Sequence, residues 1–553
     1  MARHLFLLLG SSLVWWSTLF ILCLVLVAPL AAVDVPPLLD YPNHLARAYV
    51  LAHGQADPHL SQMYAPHWAI IPNLAIDLIL PPLLLIIPVH IAGRILLAVA
   101  LVMPVVGTVL YSQAVFARRS YWPLAGCLVA SNGLFLLGFV NFQLGLGLAL
   151  VCAAAWRRWR ETRPLAAVAL GVVSAVALFF SHLMGLLFFL LLLLSHEIER
   201  VRNVHQQGQS LTNSLGRAAW SMPIILVPLA LYGASAFTDK APDITWETWP
   251  DKLMRAAMSV VNYNLPLDIF TACFLAMVLL TLATLRLIVV PLGSVIALAA
   301  IAVLFMVSPF SFKGTGYVDA RFAVMFGFLL FGVILPVGLP RKSTFLIGFA
   351  MLALFGIRTV QTAAVWDAHS RDLDQFRSAI SAVEPGSRVL LAAVSIEEAD
   401  LAQHDFLRRQ HLSDGSRLDA HTAALLLIER HAFWPFLFAN HEQQPVELRS
   451  PYAEIAEHTA GIPDVRLLAA SIPEPGDVAR FPLVGQWSCC YDYVLLMEAG
   501  SHDFHHHNLE LLYQSDYASL FRVKHPPFVP VSRSRDYPVT TDANQPSHTD
   551  PKL

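Results

Sequence analysis

Charge is scarce in this chain. Asp, Glu, Lys and Arg supply only 14% of its 553 residues, against about 25% in soluble domains. That shortage excludes an ordinary water-soluble protein over most of the length. The net charge of -3 provides none of the basic field that phosphate backbones require, which excludes nucleic acid as a main partner. Cysteine is also sparse. Of six, Cys23, Cys127, Cys152 and Cys273 lie in apolar runs, where the residue acts as a small hydrophobe. Cys489 and Cys490 are adjacent and lack zinc or CxxC spacing. No disulfide framework and no internal repeat is legible. The run His502-Asp-Phe-His505-His506-His507 falls in an expected loop without partner spacing, so no metal and no cofactor is expected.

What is present is apolar. Hydrophobic residues make up 56% of the chain, with a mean hydropathy of +0.58. They concentrate in 1–365, where runs such as Leu183–Ser195 carry no charge. The run from Leu5 to Val33 exceeds the about 7–15 residues of a signal-peptide core, so it reads as an uncleaved first span. Further spans are expected at 91–117, 122–138, 141–156, 165–181, 183–197, 217–236, 266–288, 291–309, 322–340 and 344–363. Residues 69–88 are apolar too, but Pro72, Asn73, Asp77, Pro81, Pro82 and Pro88 interrupt them. Treating that stretch as a half-span puts Arg118–Arg119, Arg157–Arg163, Arg200, Arg202, Arg217 and Arg341–Lys342 all on the cytoplasmic side.

The expected architecture is therefore a polytopic α-helical membrane protein with eleven full spans in 1–365. A soluble α/β domain over 366–525 and a disordered tail over 526–553 follow. With this topology the loop 34–68, the turn 138–141, the loops 237–265 and 310–321, and the soluble domain all lie on the outer side of an inner (cytoplasmic) membrane. Within the domain, Arg388–Val394 and Tyr491–Glu498 read as buried strands, Leu509–Val523 as one or two more, and Arg417–His431 as an amphipathic helix. Glu429 to His431 read as a solvated face.

Three constellations on the outer side can carry chemistry. In the first loop, Asp40, His44 and Arg47 stand at i, i+4 and i+7 of a helix expected to start near Pro42, with Asp34 just upstream. A carboxylate there can serve as a general base, and His44 or Arg47 can meet a phosphate. An interfacial helix with snorkelling charges and Asp40 near its N-cap is the plainer alternative. In the second, Lys313-Gly-Thr-Gly316 and Arg321-Phe322 can cradle an anionic headgroup or form a flexible turn. The third is Ser181-His182 at a membrane boundary, where an ionisable group is costly and a neutral hydrogen-bonded histidine is the alternative. Asn141 and Gln143 place two amides at the turn between spans.

In this order the features resemble the GT-C superfamily of membrane glycosyltransferases, which includes the protein O-mannosyltransferases and aminoarabinose transferases. The matching residues are Asp40 past the first span, the proline-led Pro72-Asn73-Leu-Ala, the run from Arg94-Ile-Leu-Leu to Arg118-Arg119, and Arg321-Phe322. The resemblance implies a sugar donor carried on polyprenyl phosphate and held in the lipid bilayer, attacked by the hydroxyl of an unidentified acceptor. It implies Asp40 as general base and Arg321, Lys313 and His182 as ligands of the donor phosphate. Many relatives carry a second acidic residue where this chain has Asn141, which favours a metal-independent reaction. A flippase for lipid-linked glycans and a catalytically silent scaffold remain the alternatives. The first lacks the paired repeats such transporters show.

Overall fold

A computed structural model describes residues 12–208, 210, 212, 216, 218–238, 243–394, 409–459, 461–469, 475–484, 486–497 and 504–524. Arg217, His502 and the segment from 526 lie outside these. Of the described residues, 62% are helical. Helix α1 (Ser12–Val27) runs into a 3-10 turn, Ala28–Ala31. The loop beyond it folds into α2 (Tyr41–His53), β1 (Tyr64–Pro66) and α3 (Ala75–Leu84). The helices α4 (Val89–Phe116), α5 (Val140–Trp159), α6 (Pro164–Ser181), α7 (Leu183–Gln206), α8 (Met222–Gly233), α9 (Leu265–Thr284), α10 (Leu292–Val307), α11 (Val318–Val333) and α12 (Arg341–Ile380) follow.

Among the described residues six helices are long and apolar enough to cross a membrane: α1 with its turn, α4, α5, α6, α9 and α12. Phe20, Leu165, Leu194, Leu280, Val303 and Phe345 are each more than half exposed. Outward-facing side chains of this kind suit a membrane-embedded bundle, since water would penalise so large an apolar surface.

Eleven helices of spanning length do not form among the described residues. Residues 122–138 break into a 3-10 helix, Trp122–Val129, and a short α-helix, Gly133–Leu136. Asn132 is the cause: its side chain accepts from Phe135 N and starts a new helix. Hydropathy alone does not register such a break. α8 and α10 are apolar but only 12 and 16 residues long. α3 has 10 residues, so it rises about 15 Å, half of a hydrocarbon core of about 30 Å.

The C-terminal strands β2 (Val389–Ala393), β3 (Val446–Leu448), β4 (Tyr493–Met497), β5 (Leu509–Gln514) and β6 (Ala518–Val523) build most of the sheet structure. Four form one sheet in the order β2-β4-β6-β5. β2 and β4 pair in parallel, and the remaining pairs are antiparallel. Every residue of β2 and β4 is buried, which is why both read as unbroken apolar runs. β3 leaves this sheet and pairs antiparallel with β1 of the first loop.

The expected amphipathic helix over Arg417–His431 does not form. A 3-10 turn, Thr422–Ala424, and a short helix, Leu425–Glu429, stand there instead. Leu425, Leu426 and Leu427 are fully buried, so the segment is apolar all round and packs as core. Helix α12 is 40 residues long, about 60 Å at 1.5 Å per residue. It runs without a break across 365 and 366, where the two parts of the chain were expected to separate.

Candidate functional site

The turn 136–139 and the start of α2 lie directly against each other. Leu39 N and Asp40 N donate to Leu136 O and Leu137 O, both at 3.2 Å. Gly138, at φ +82°, makes this contact possible. A Cβ there would come within 2.6 Å of Asp40 N, and its backbone conformation disfavours any other residue.

Asp40 occupies the N-cap position of α2, with Pro42 in the first turn, but its side chain makes no bond to the helix backbone. The carboxylate is directed elsewhere: Oδ1 lies 3.1 Å from Nδ1 of His421. Both side chains are mostly covered, at 16% and 20% exposure. His421 stands edge-on to Phe438 and Trp434, with ring centroids 5.1 and 6.0 Å away. No motif in the sequence points to His421. Its signal is spatial, because the segment carrying it reaches Asp40 only after the chain has crossed the whole bundle.

Docking of that segment is specific. Asn43 donates from Nδ2 to Phe436 O at 2.8 Å and accepts at Oδ1 from Phe438 N at 2.8 Å. Tyr64 Oη donates to Trp434 O at 3.3 Å. His431 lies 2.6 Å from Asp57, and Glu429 pairs with Arg377 at 3.1 Å. The 429–431 face is therefore an internal contact between the two parts of the chain, which corrects its reading as a solvated surface.

Arg321 lies in the first turns of α11, 4% exposed, with its guanidinium 4.9 Å from the centre of the Phe139 ring. Its Nε and Nη1 are buried without a hydrogen-bond partner, and it forms no salt bridge among the described residues. Its field comes from Asp40 and Asp319, and it acts in turn on His182. Asp319 is already held by Arg255 at 3.1 Å and Lys252 at 3.7 Å.

His182 sits between α6 and α7. Its Nδ1 accepts from Met184 N at 3.0 Å, capping α7. The ring stands edge-on to Phe142, with centroids 5.5 Å apart. Gly145 admits it, since a Cβ there would come within 2.9 Å of His182 Cβ. With Nδ1 accepting, a neutral His182 carries its proton on Nε2 and can donate to an anion.

The other expected site residues are engaged elsewhere. Arg47 is buried and holds Asp77 of α3 through two hydrogen bonds, at 2.6 and 2.9 Å, while its Nη1 is buried without a hydrogen-bond partner. Lys313 donates to Phe237 O at 2.9 Å and Thr238 O at 3.2 Å. Its loop closes on itself through mutual Phe312 and Thr315 backbone bonds. Asn141 accepts from Ile76 N at 2.9 Å and donates to Asn73 O at 2.5 Å; it fixes the start of α3. Gln143 bonds Asn132 and Ala130 O. Asp34 is half exposed, contacts Arg377 at 3.5 Å and Arg94 at 4.0 Å, and lines a separate polar cavity of about 170 Å³ with Ser370 and Asp374. His44 packs edge-on to Phe438 at 5.5 Å, its Nδ1 buried and unpartnered. Burial, reinforced by Arg47 and His421, holds its imidazole well below the ordinary range.

Among the described residues no group of three or more His, Cys, Asp or Glu stands ready to hold a metal. Asp40, Arg321 and His182 thus each touch the 136–145 stretch, and Asp40 brings His421 with it. No family model, curated protein or solved structure matches this chain.

Proposed function

We propose that the protein is a GT-C-type glycosyltransferase that moves a sugar from a polyprenyl-phosphate donor to an acceptor hydroxyl at the outer face of the membrane. One observation supports this above the others. Arg321 is 4% exposed, and two of its guanidinium nitrogens are buried without a partner. Leaving the donors of a buried cation without hydrogen bonds is costly, and an incoming anion removes that penalty. A polyprenyl phosphate is such an anion, tethered in the bilayer by its tail.

In the reaction, the acceptor oxygen attacks the sugar's anomeric carbon as the bond to the phosphate oxygen breaks. Negative charge grows on the departing phosphate, where Arg321 and the Nε2–H of His182 can stabilise it without reorganising. The acceptor proton leaves toward the Asp40–His421 end of the site.

The test uses purified protein in lipid vesicles with polyprenyl-phosphate sugars and candidate acceptors. Release of polyprenyl phosphate together with glycosylated acceptor is expected, and Asp40→Asn should abolish both. Movement of the lipid-linked sugar across the bilayer with no transfer would make the protein a flippase. Full cellular function with Asp40 and Arg321 both replaced would make it a scaffold.

A further inference from the structure

We infer that His421, delivered by the C-terminal part of the chain, is the catalytic base, and that Asp40 orients it. This rests on the glycosyl-transfer reading but reverses the role expected for Asp40.

The geometry has three parts. Asp40 Oδ1 faces Nδ1 of His421 at 3.1 Å. A carboxylate in that place holds the proton on Nδ1 and leaves Nε2 as the basic nitrogen. Nδ1 is buried, whereas Nε2 makes no hydrogen bond among the described residues and belongs to a side chain that keeps 20% exposure. The basic nitrogen is therefore the one an acceptor can reach.

The second part is the support. The aromatic walls Trp434 and Phe438 fix the ring plane. Asn43 locks the backbone on both sides of Leu437, at Phe436 O and Phe438 N. Upstream, Asp419 is buried and paired with Arg417, and Leu418 N donates to Gln410 O at 2.8 Å. A side chain merely lying on a surface needs no such framework.

The third part is unmet demand for partners. Trp434 Nε1, His44 Nδ1 and His421 Nδ1 are all buried without an aligned hydrogen bond. The 3.1 Å contact from His421 to Asp40 is close but off the hydrogen-bond line. Among the described residues, the charged and titratable groups that act on the ring are Asp40 and His44 of α2.

The step balances. The acceptor O–H proton passes to His421 Nε2 as the acceptor oxygen bonds to the anomeric carbon. The electron pair of the broken C–O bond stays on the phosphate, opposite Arg321. Asp40 then stabilises the imidazolium until its proton is lost to water.

The test follows kcat/KM for the wild type in lipid vesicles from about pH 3 to about pH 9, a range that brackets both carboxylate and imidazole titration. An imidazole base and a carboxylate base give acid limbs in separate pH ranges. Replacement of the base should lower kcat by about 10²–10⁴-fold, so His421→Gln is expected to do so with donor KM unchanged. Added imidazole should restore part of the activity of His421→Gly. Wild-type activity in His421→Gln, or an acid limb in the carboxylate range, overturns the assignment. If His421→Gln does not fold, the wild-type limb alone decides. If the wild type transfers no sugar, the functional reading fails separately. ¹⁵N histidine spectra then test the pair: a His421 Nδ1–H signal lost in Asp40→Asn supports it, and its absence from the wild type overturns it.

Discussion

Arg47 and Asp77 meet through two parallel hydrogen bonds inside the protein, with side-chain exposures of 2% and 1%. The pair ties α2, the helix that begins at Asp40, to α3. Removing one partner leaves the other charge buried and uncompensated, which costs about 3–5 kcal/mol. Arg47→Ala and Asp77→Ala should each lower the thermal midpoint in detergent sharply. The double variant Arg47→Met with Asp77→Leu should recover much of that loss. Equal loss in the single and double variants would refute this account.

Arg321 should behave differently. Its Nε and Nη1 already lack hydrogen-bond partners, so Arg321→Gln is expected to leave the thermal midpoint unchanged or raise it. Donor turnover should fall by about 10²–10³, the usual cost of removing one group that stabilises developing negative charge. Polyprenyl-phosphate release, measured beside the melting curve, separates the two effects. A stability loss with normal turnover would remove Arg321 from the reaction.

Asn43 links residues 393 positions apart in the chain. Asn43→Leu strands Phe436 O and Phe438 N without partners, at about 1–3 kcal/mol each. Amide exchange across 432–439 should speed up in this variant, while exchange in β4 stays at its wild-type rate. Uniform acceleration throughout would mean global unfolding and not local release.

His44 gives stability a pH dependence. The folded protein keeps this imidazole neutral, its affinity for protons lowered by burial and then by Arg47 and His421. The unfolded chain takes up a proton below about pH 6.5, so more protons are bound unfolded than folded. Stability is accordingly lost as pH falls from about 6.5 toward the folded value. Melting midpoints of wild type and His44→Phe, compared at about pH 7.5 and about pH 5, should show the larger acid-side drop in the wild type. A drop of the same size in both would place the acid sensitivity elsewhere.

The elements that depend on local pattern were readable from the sequence. Arg388–Val394 and Tyr491–Glu498 contain β2 and β4, because strands buried on both faces need continuous apolar residues. The helix bearing Asp40 announced itself through Pro42 and the spacing to Arg47. What pattern could not supply was partnership. Arg47 looked available until Asp77 was seen beside it, and Lys313 until its ammonium was found on the carbonyls of Phe237 and Thr238. His421 was invisible because a pairing across most of the chain has no periodicity. Residues 122–138 misled for another reason: they are apolar enough for a span, but one side chain, Asn132, divides them.

The uninterrupted α12 has a mechanical consequence. It leaves the chain no joint between the lipid-facing bundle and the sheet, and its distal half grips the His421-bearing part through Asp372 to Arg409 and Arg377 to Glu429. Because Asn43 of α2 holds the same part at Phe436 and Phe438, the rod, the imidazole and the carboxylate are coupled as one piece.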